Sequence, residues 1–268
     1  MDVDEQRDLR LLVNWLGRVE RWHQLTSERP DSWQVDPRSA LAGDDAKTDP
    51  YQVSHAAWHA LTVAVDHLDC LKSSLLRDLN GEQAEVRIHT HAQSSLLRGA
   101  IENAARAVWL VGPKDRLTRI SRRLALQAKE TKDSFRLRAL VQQPAAQTLE
   151  QRLQRLTHLL IAAGTQPEQT KTALKAPAYS DIVRGAGDLT PLGADVAQVV
   201  WSGCSALAHG DGFGTLAMLD RQIMASSQDV ALVRVTGSIS GLYWCTVIAT
   251  IMIEHGFGLY QTRAMCHR

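Results

Sequence analysis

The chain has 268 residues, room for one large domain or two small ones and for a real hydrophobic core. Hydrophobic residues make up 44% and charged residues 22%, with a net charge of +1; this excludes a disordered chain and gives no global reason to expect nucleic acid or an anionic membrane. Four cysteines (Cys70, Cys204, Cys245, Cys266) are scattered without a CxxC pair, so free thiols in a reducing cytoplasm are expected, not a disulfide framework or a zinc site. The acidic start MDVDEQRDLR is unlike a signal peptide, and the cytoplasm is the expected location.

In chain order, Glu5–Glu28 reads as a first helix with Leu9, Leu12, Val13, Leu16, Val19 and Trp22 on one side, stopped at Pro30. Residues 32–50, with Pro37, Gly43, Pro50 and the acidic pair Asp44-Asp45, read as an exposed loop. Ser54 or Asp49 offers a cap for a second helix reaching about Leu79, closed by an Asn80-Gly81 turn. The third, within Val86–Val111, carries Leu96, Leu97, Ala100, Ile101, Ala104, Val108 and Val111 at three- and four-residue spacing and forms a helical hairpin with the second. Gly112-Pro113 precedes a fourth helix, Arg116–Leu140. The stretch Lys114–Arg138 holds nine Lys/Arg against three acids, the pattern of a solvent-facing side or of a face that touches a phosphate backbone.

Glu150–Ala163 is a fifth helix ending at Gly164, and 165–191 reads as a loop with a short helix near Ser180–Arg184. A sixth spans Leu192–His209 and stops at Gly210-Asp211-Gly212. Residues 213–227 suit a loop or a short strand pair. The last segment, Asp229–His255, is the most apolar. Its uncharged run Val235–Ile253 is long enough for a bilayer, but the Ser, Thr and Gly content and the absence of a flanking basic cluster favour burial within a bundle. The expected architecture is an all-α bundle of six to eight helices, with residues 1–53 as an N-terminal helix and loop and 54–268 as the bundle.

Two polar constellations stand out against this apolar background. On the third helix Arg98 and Glu102 lie one turn apart, flanked by Asn103 and Arg106. Such a pair is usually a solvated surface contact, but on a central helix charges must be paired or used. On the sixth, Trp201, Ser205 and His209 recur every four residues, with Asp211 just beyond. His209 at a helix end is by itself a favourable dipole partner; facing Arg98 and Glu102 it completes an acid–base site without a metal.

LLRGAIENAARAVWLVGP (96–113) and WSGCSALAHG (201–210) together resemble uncharacterised bacterial members of the HEPN superfamily. The resemblance implies a helical bundle, frequent dimerisation and, in many members, metal-independent ribonuclease activity in toxin or phage-defence systems. It therefore implies RNA and an antitoxin-like protein as partners, and a homodimer. The usual signature places an Arg four to six residues before a His on one helix. Here Gly203, Cys204 and Ser205 occupy those positions, so Arg98 would have to supply the charge from another helix. On this reading Arg98, Glu102 and His209 are catalytic, Asn103, Arg106, Ser205, Trp201 and Asp211 contact substrate, and no metal or other cofactor takes part.

Two further readings remain open. One is a non-catalytic module that binds a nucleotide or a protein in the same polar cleft. The other is a metal-dependent bundle enzyme built on His55, His59 and Asp66, which share a helix face, with His67, Asp69, His89 and His91 close in sequence. No P-loop, GxGxxG, CxxC or nucleophile-elbow motif is present, which leaves the common nucleotide, redox and hydrolase classes without support.

Overall fold

The computed structural model describes residues 3–28, 31–78, 84–228 and 230–266. It is mostly helical, as an all-α bundle requires, with two small antiparallel strand pairs. Its helical segments outnumber the six to eight expected, because several of the connections are themselves short helices.

The first expected helix divides into α1 (Val3–Gly17), α2 (Val19–His23) and a wide turn over Gln24–Glu28. Leu12, Leu16, Val19 and Trp22 from these segments are buried in the same core as the rest of the bundle. The supposed loop before residue 50 contains α3 (Ala40–Thr48), a correction with a clear cause. Ser39 caps it by accepting the Ala42 N–H at 3.1 Å, and its acidic run is drawn inward: Asp44 is 0% exposed.

Helix α4 (Val53–Leu75) starts against Asp45. That carboxylate accepts the Ser54 N–H at 3.0 Å and the Ser54 hydroxyl at 2.5 Å, so the cap comes from α3, neither from Ser54 nor from Asp49. Burial raises the Asp45 pKa, and these hydrogen bonds oppose the rise. After α4 the chain forms β1 (Leu76–Asp78) and β2 (Ala84–Val86), and the third helix, α5, runs from Ala92 to Val111, so that Val86 belongs to a strand and the apolar spacing from Leu96 to Val111 lies wholly within the helix. The Asn80-Gly81 turn lies outside the described residues.

Helices α4 and α5 pack along each other at the centre of the molecule. α6 spans Arg116–Leu140, as the sequence predicts, and α7 spans Leu149–Ala163. The 165–191 connection contains α8 (Thr170–Ala173) and α9 (Tyr179–Gly187). α10 (Ala194–Ala208) lies against α5 and α9.

Residues 213–227 are neither a loop nor a complete strand pair. They hold α11 (Gly212–Met218) and then β3 (Asp220–Ser227), whose partner β4 (Val230–Thr236) lies further on. The apolar run at 235–253 is therefore divided. Val235 belongs to the strand, and α12 runs from Ile239 to Ala264, started by the Ser238 hydroxyl, which accepts the Gly241 N–H at 3.3 Å. The β-branched content of VALVRVT favours a strand, whereas the following stretch is apolar on every side. Among the described residues α12 is the one helix long and apolar enough to cross a membrane, yet most of that stretch is buried within the bundle. It packs on α1, α5 and α4, and Gly256 lets it come close to α4: a Cβ there would lie 2.7 Å from Leu61 Cδ2.

The basic run on α6 divides: Lys129, Lys132 and Arg136 form an exposed, solvated side, whereas the arginines nearer its start are drawn into the structure. Arg119 is 2% exposed and grips Asp44 with two hydrogen bonds, Nε to Oδ2 at 2.5 Å and Nη2 to Oδ1 at 3.0 Å. Its Nη1 donates to the carbonyls of Pro113 and Lys114, both at 2.8 Å. Arg116 adds a contact to Asp44 at 3.2 Å, and Arg123, also buried, pairs with Glu130 and Gln127. These charges fasten α6 to its neighbours.

None of the four cysteines is in a disulfide. Cys204 of α10 donates its S–H to Cys245 of α12, and this bond together with burial raises the Cys204 pKa well above the ordinary thiol value. Maleimide labelling of the native protein should modify exposed Cys70 rapidly and leave Cys204 and Cys245 unreacted until denaturant is added. Asp44→Ala, which strands the buried Arg119 guanidinium, should cost about 3–5 kcal/mol in urea unfolding, and the double change Asp44→Leu/Arg119→Met should cost less.

Candidate functional site

The polar seam between α5 and α10 begins with the geometry of α5. Leu97, Ala100, Ile101, Ala104 and Val108 are buried, while Arg98 and Glu102 occupy the stripe beside them, partly covered. Arg98 Nε stands 3.6 Å from Glu102 Oε2. The same carboxylate oxygen accepts the indole N–H of Trp201, across from α10, at 3.2 Å. Glu102 therefore holds a cation from its own helix and a neutral donor from a residue 99 positions later. Its side chain is 18% exposed, so these bonds act in partial shelter from water.

Among the described residues Arg98 has no polar contact besides Glu102. Its Nε is buried without a hydrogen bond. The outer guanidinium nitrogens have no protein partner, so they remain available to an anion.

The two helices run antiparallel. The Glu102–Trp201 contact fixes one level; at the other end His91, which precedes α5, brings its Nε2 to 3.5 Å from the Thr215 hydroxyl of α11. From these anchors, helical spacing sets Ser205 near the level of Arg98 and His209 a turn further toward His91. Ser205 is partly buried and its hydroxyl makes no hydrogen bond. His209 is exposed at the end of α10, with no hydrogen bond or ion pair from its ring.

The helix end itself follows from Gly210. With φ +69° it takes a left-handed conformation, and its N–H returns to the Leu207 carbonyl at 3.1 Å while that of Asp211 returns to Ala206 at 2.9 Å. Asp211 then caps α11, accepting the Phe213 N–H at 2.8 Å. The His-Gly-Asp sequence thus has a complete architectural role: it stops one helix and starts the next.

Arg98, Glu102 and Trp201 are joined by the fold. Of the other predicted site residues, Asn103, Arg106 and Asp211 are occupied elsewhere, while the Ser205 and His209 side chains make no hydrogen bond among the described residues. Asn103 donates to the Gly99 carbonyl at 2.9 Å within its own helix. Arg106 turns toward α6 and pairs with Glu130, lining a cleft of about 560 Å³ with Lys129, Asp133 and Tyr179. His91, which the metal reading counted among the nearby histidines, is the imidazole that spans from α5 to α11.

The residues of the metal reading do not assemble. Among the described residues no three His, Cys, Asp or Glu side chains are grouped as a metal site requires. His55 meets the Trp33 ring edge-on at 5.1 Å, and with His59 and Trp58 it lines a small cavity of about 250 Å³.

A double-mutant cycle of Trp201→Phe and Glu102→Ala, read by urea unfolding, should return a coupling of about 0.5–1.5 kcal/mol, the size of one sheltered hydrogen bond. Additive effects would show that the indole and the carboxylate do not interact. No family model matches this chain, and neither a curated protein nor a solved structure is significantly similar to it.

Proposed function

We propose that the protein is a HEPN-like RNA-binding module whose α5–α10 seam holds a phosphate of the RNA backbone without cleaving it. The observation that carries this reading is Arg98: its side chain is oriented by Glu102, which Trp201 fixes in turn, and its outer nitrogens are free of protein partners. A guanidinium held in this way is a ready donor pair for a phosphate, because its orientation is set before the ligand arrives. Ser205 and His209, further along α10, extend the seam in the direction a backbone would follow. Binding is favoured over cleavage because nothing orients the His209 imidazole. A general base needs a partner that sets its tautomer and direction, and this ring has none.

Fluorescence anisotropy with a labelled single-stranded RNA of mixed sequence tests this directly. The wild type should bind with an affinity that falls as salt rises, and Arg98→Ala should weaken binding about tenfold or more. Intact RNA after prolonged incubation in metal-free buffer supports a binding role; cleavage that disappears in His209→Ala would restore the ribonuclease reading. Absence of RNA binding at low salt would overturn both.

We further infer that two copies associate through the β3–β4 hairpin. Its apolar side chains point to solvent on both faces, with Leu232 65% exposed on one and Ile223 70% exposed on the other, and Val230 at 75% near the tip. A lone two-stranded hairpin of this kind is marginal in water, and its open edges invite a further strand. With Phe213 and Leu216 at its base, the arm exposes several hundred Å² of apolar surface, the order of the ~800 Å² per partner that a standard interface buries. Symmetric pairing of two arms closes one edge of each with the same residues from each copy. Light scattering at micromolar concentration should give twice the 29.6 kDa chain mass, and Leu232→Asp should give the single mass with unchanged helical circular dichroism.

A further inference from the structure

Helix α5 leaves one stripe uncovered beside the seam. Ser95 is exposed, and Arg98, Gly99, Glu102 and Arg106 are partly so. At 100° per residue, Arg98 and Glu102 lie toward one bank of that stripe, where Glu102 meets Trp201 of α10. Gly99 and Asn103 lie toward the opposite bank, which α4 supplies through His67.

His67 packs where a side chain is missing. A Cβ on residue 99 would stand 2.3 Å from His67 Nε2 and 2.2 Å from its Cδ2, nearer than real Cβ atoms come. One edge of the ring therefore rests on the bare backbone of Gly99, the residue that follows Arg98. Consecutive Cα atoms are about 3.8 Å apart, so the imidazole and the root of the Arg98 side chain are neighbours across the floor of the groove.

The other ring nitrogen sets the tautomer. His67 Nδ1 lies 2.7 Å from the Val63 carbonyl oxygen, one turn earlier on α4. A carbonyl only accepts, so Nδ1 carries the proton and Nε2 presents a lone pair. Among the described residues nothing donates to Nε2, and the atom is open to solvent, in contrast to the sealed Nε of Arg98. His67 thus has what His209 lacks: a partner that fixes which nitrogen is bare.

We propose, resting on the reading of the seam as an RNA-backbone site, that His67 Nε2 accepts a hydrogen bond from a ribose 2′-hydroxyl, so that the seam selects ribose over deoxyribose. The phosphate, ester and ring oxygens of a nucleic-acid backbone only accept; the 2′-hydroxyl is its one donor. An acceptor beside a guanidinium that holds phosphate therefore favours the strand carrying that hydroxyl. The contact joins two neutral groups, so the neutralisation of Arg98 by Glu102 does not weaken it. It holds the sugar without cutting the chain, because cleavage also needs an oriented proton donor for the leaving oxygen, and His209 is not oriented.

Fluorescence anisotropy of the full chain with a labelled single-stranded RNA and with its 2′-fluoro analogue of the same sequence tests this. The fluoro strand keeps a polar atom at C2′ but has no hydrogen to donate. The wild type should bind the RNA about three- to tenfold more tightly, the worth of one hydrogen bond. His67→Ala and His67→Phe should bring the RNA down to the level of the fluoro strand, with binding of the fluoro strand and the helical circular dichroism unchanged. Arg98→Ala should weaken both strands alike. Equal binding of the two strands by the wild type overturns the role of His67 while leaving the seam as a backbone site, and so does a wild-type preference that survives in both His67 variants. RNA cleavage that is lost in His67→Ala overturns it as well, by making this ring a base. Absence of binding by either strand at low salt overturns the seam reading and the role of His67 with it.

Discussion

The buried pair of Asp44 and Arg119 holds together parts of the chain that otherwise have little reason to meet. Asp44 comes from a short helix with a weak apolar face, and Arg119 from the first turns of α6. Their bidentate contact, with Nη1 of the same arginine on the Pro113 and Lys114 carbonyls, ties α3 to the α5–α6 corner. Arg263 of α12 reaches the same corner, donating to the Gly112 and Pro113 carbonyls at 3.4 and 3.3 Å. The exposed carbonyls at the end of α5 are thereby satisfied by two cations, which also suit the negative end of that helix. A buried ion pair of this kind specifies geometry more surely than it adds stability, since its attraction is offset by desolvation.

With that corner fixed, the polar groups of α5 sort themselves by neighbour. Arg98 and Glu102 face α10, where the Trp201 indole completes the contact. Arg106, one turn further, meets Glu130 of α6, and Trp109 lies beneath Arg122. One helix therefore contributes to two separate polar regions. The two regions share a scaffold, but their side chains belong to different pairs of helices.

Both regions contain cations that the protein leaves incompletely paired, in contrast to the rest of the molecule. Three of the six arginines on α6 are consumed by structure: Arg116 and Arg119 by Asp44, Arg123 by Glu130. A basic run along a helix is thus a poor guide to a nucleic-acid face when the carboxylates that neutralise it lie far away in sequence. The exposed apolar arm is the complementary exception, since it leaves hydrophobic surface, not charge, without a partner.

The sequence by itself determined the helical class, because three- and four-residue apolar spacing is a local property of each segment. It placed α6 at Arg116–Leu140 and the end of α7 at Gly164, where Pro113, an Asp115 cap and a left-handed glycine act within a turn of the boundary. The Arg98–Glu102 pair was legible for the same reason: its partners are four residues apart. Tertiary structure decided what local pattern cannot encode. α3 looked like a loop because the partner of its Asp44 lies 75 residues away, and the apolar run at 235–253 looked continuous because only strand pairing with β3 separates Val235 from the helix. Arg106 and Trp201 were readable as polar residues on helix faces, but whether they meet each other or different neighbours depends on which helices pack together. The pairing of Arg122 with Trp109 and the orphaned hydroxyl of Thr165 had no sequence signal at all, since both arise from burial created by segments distant in the chain.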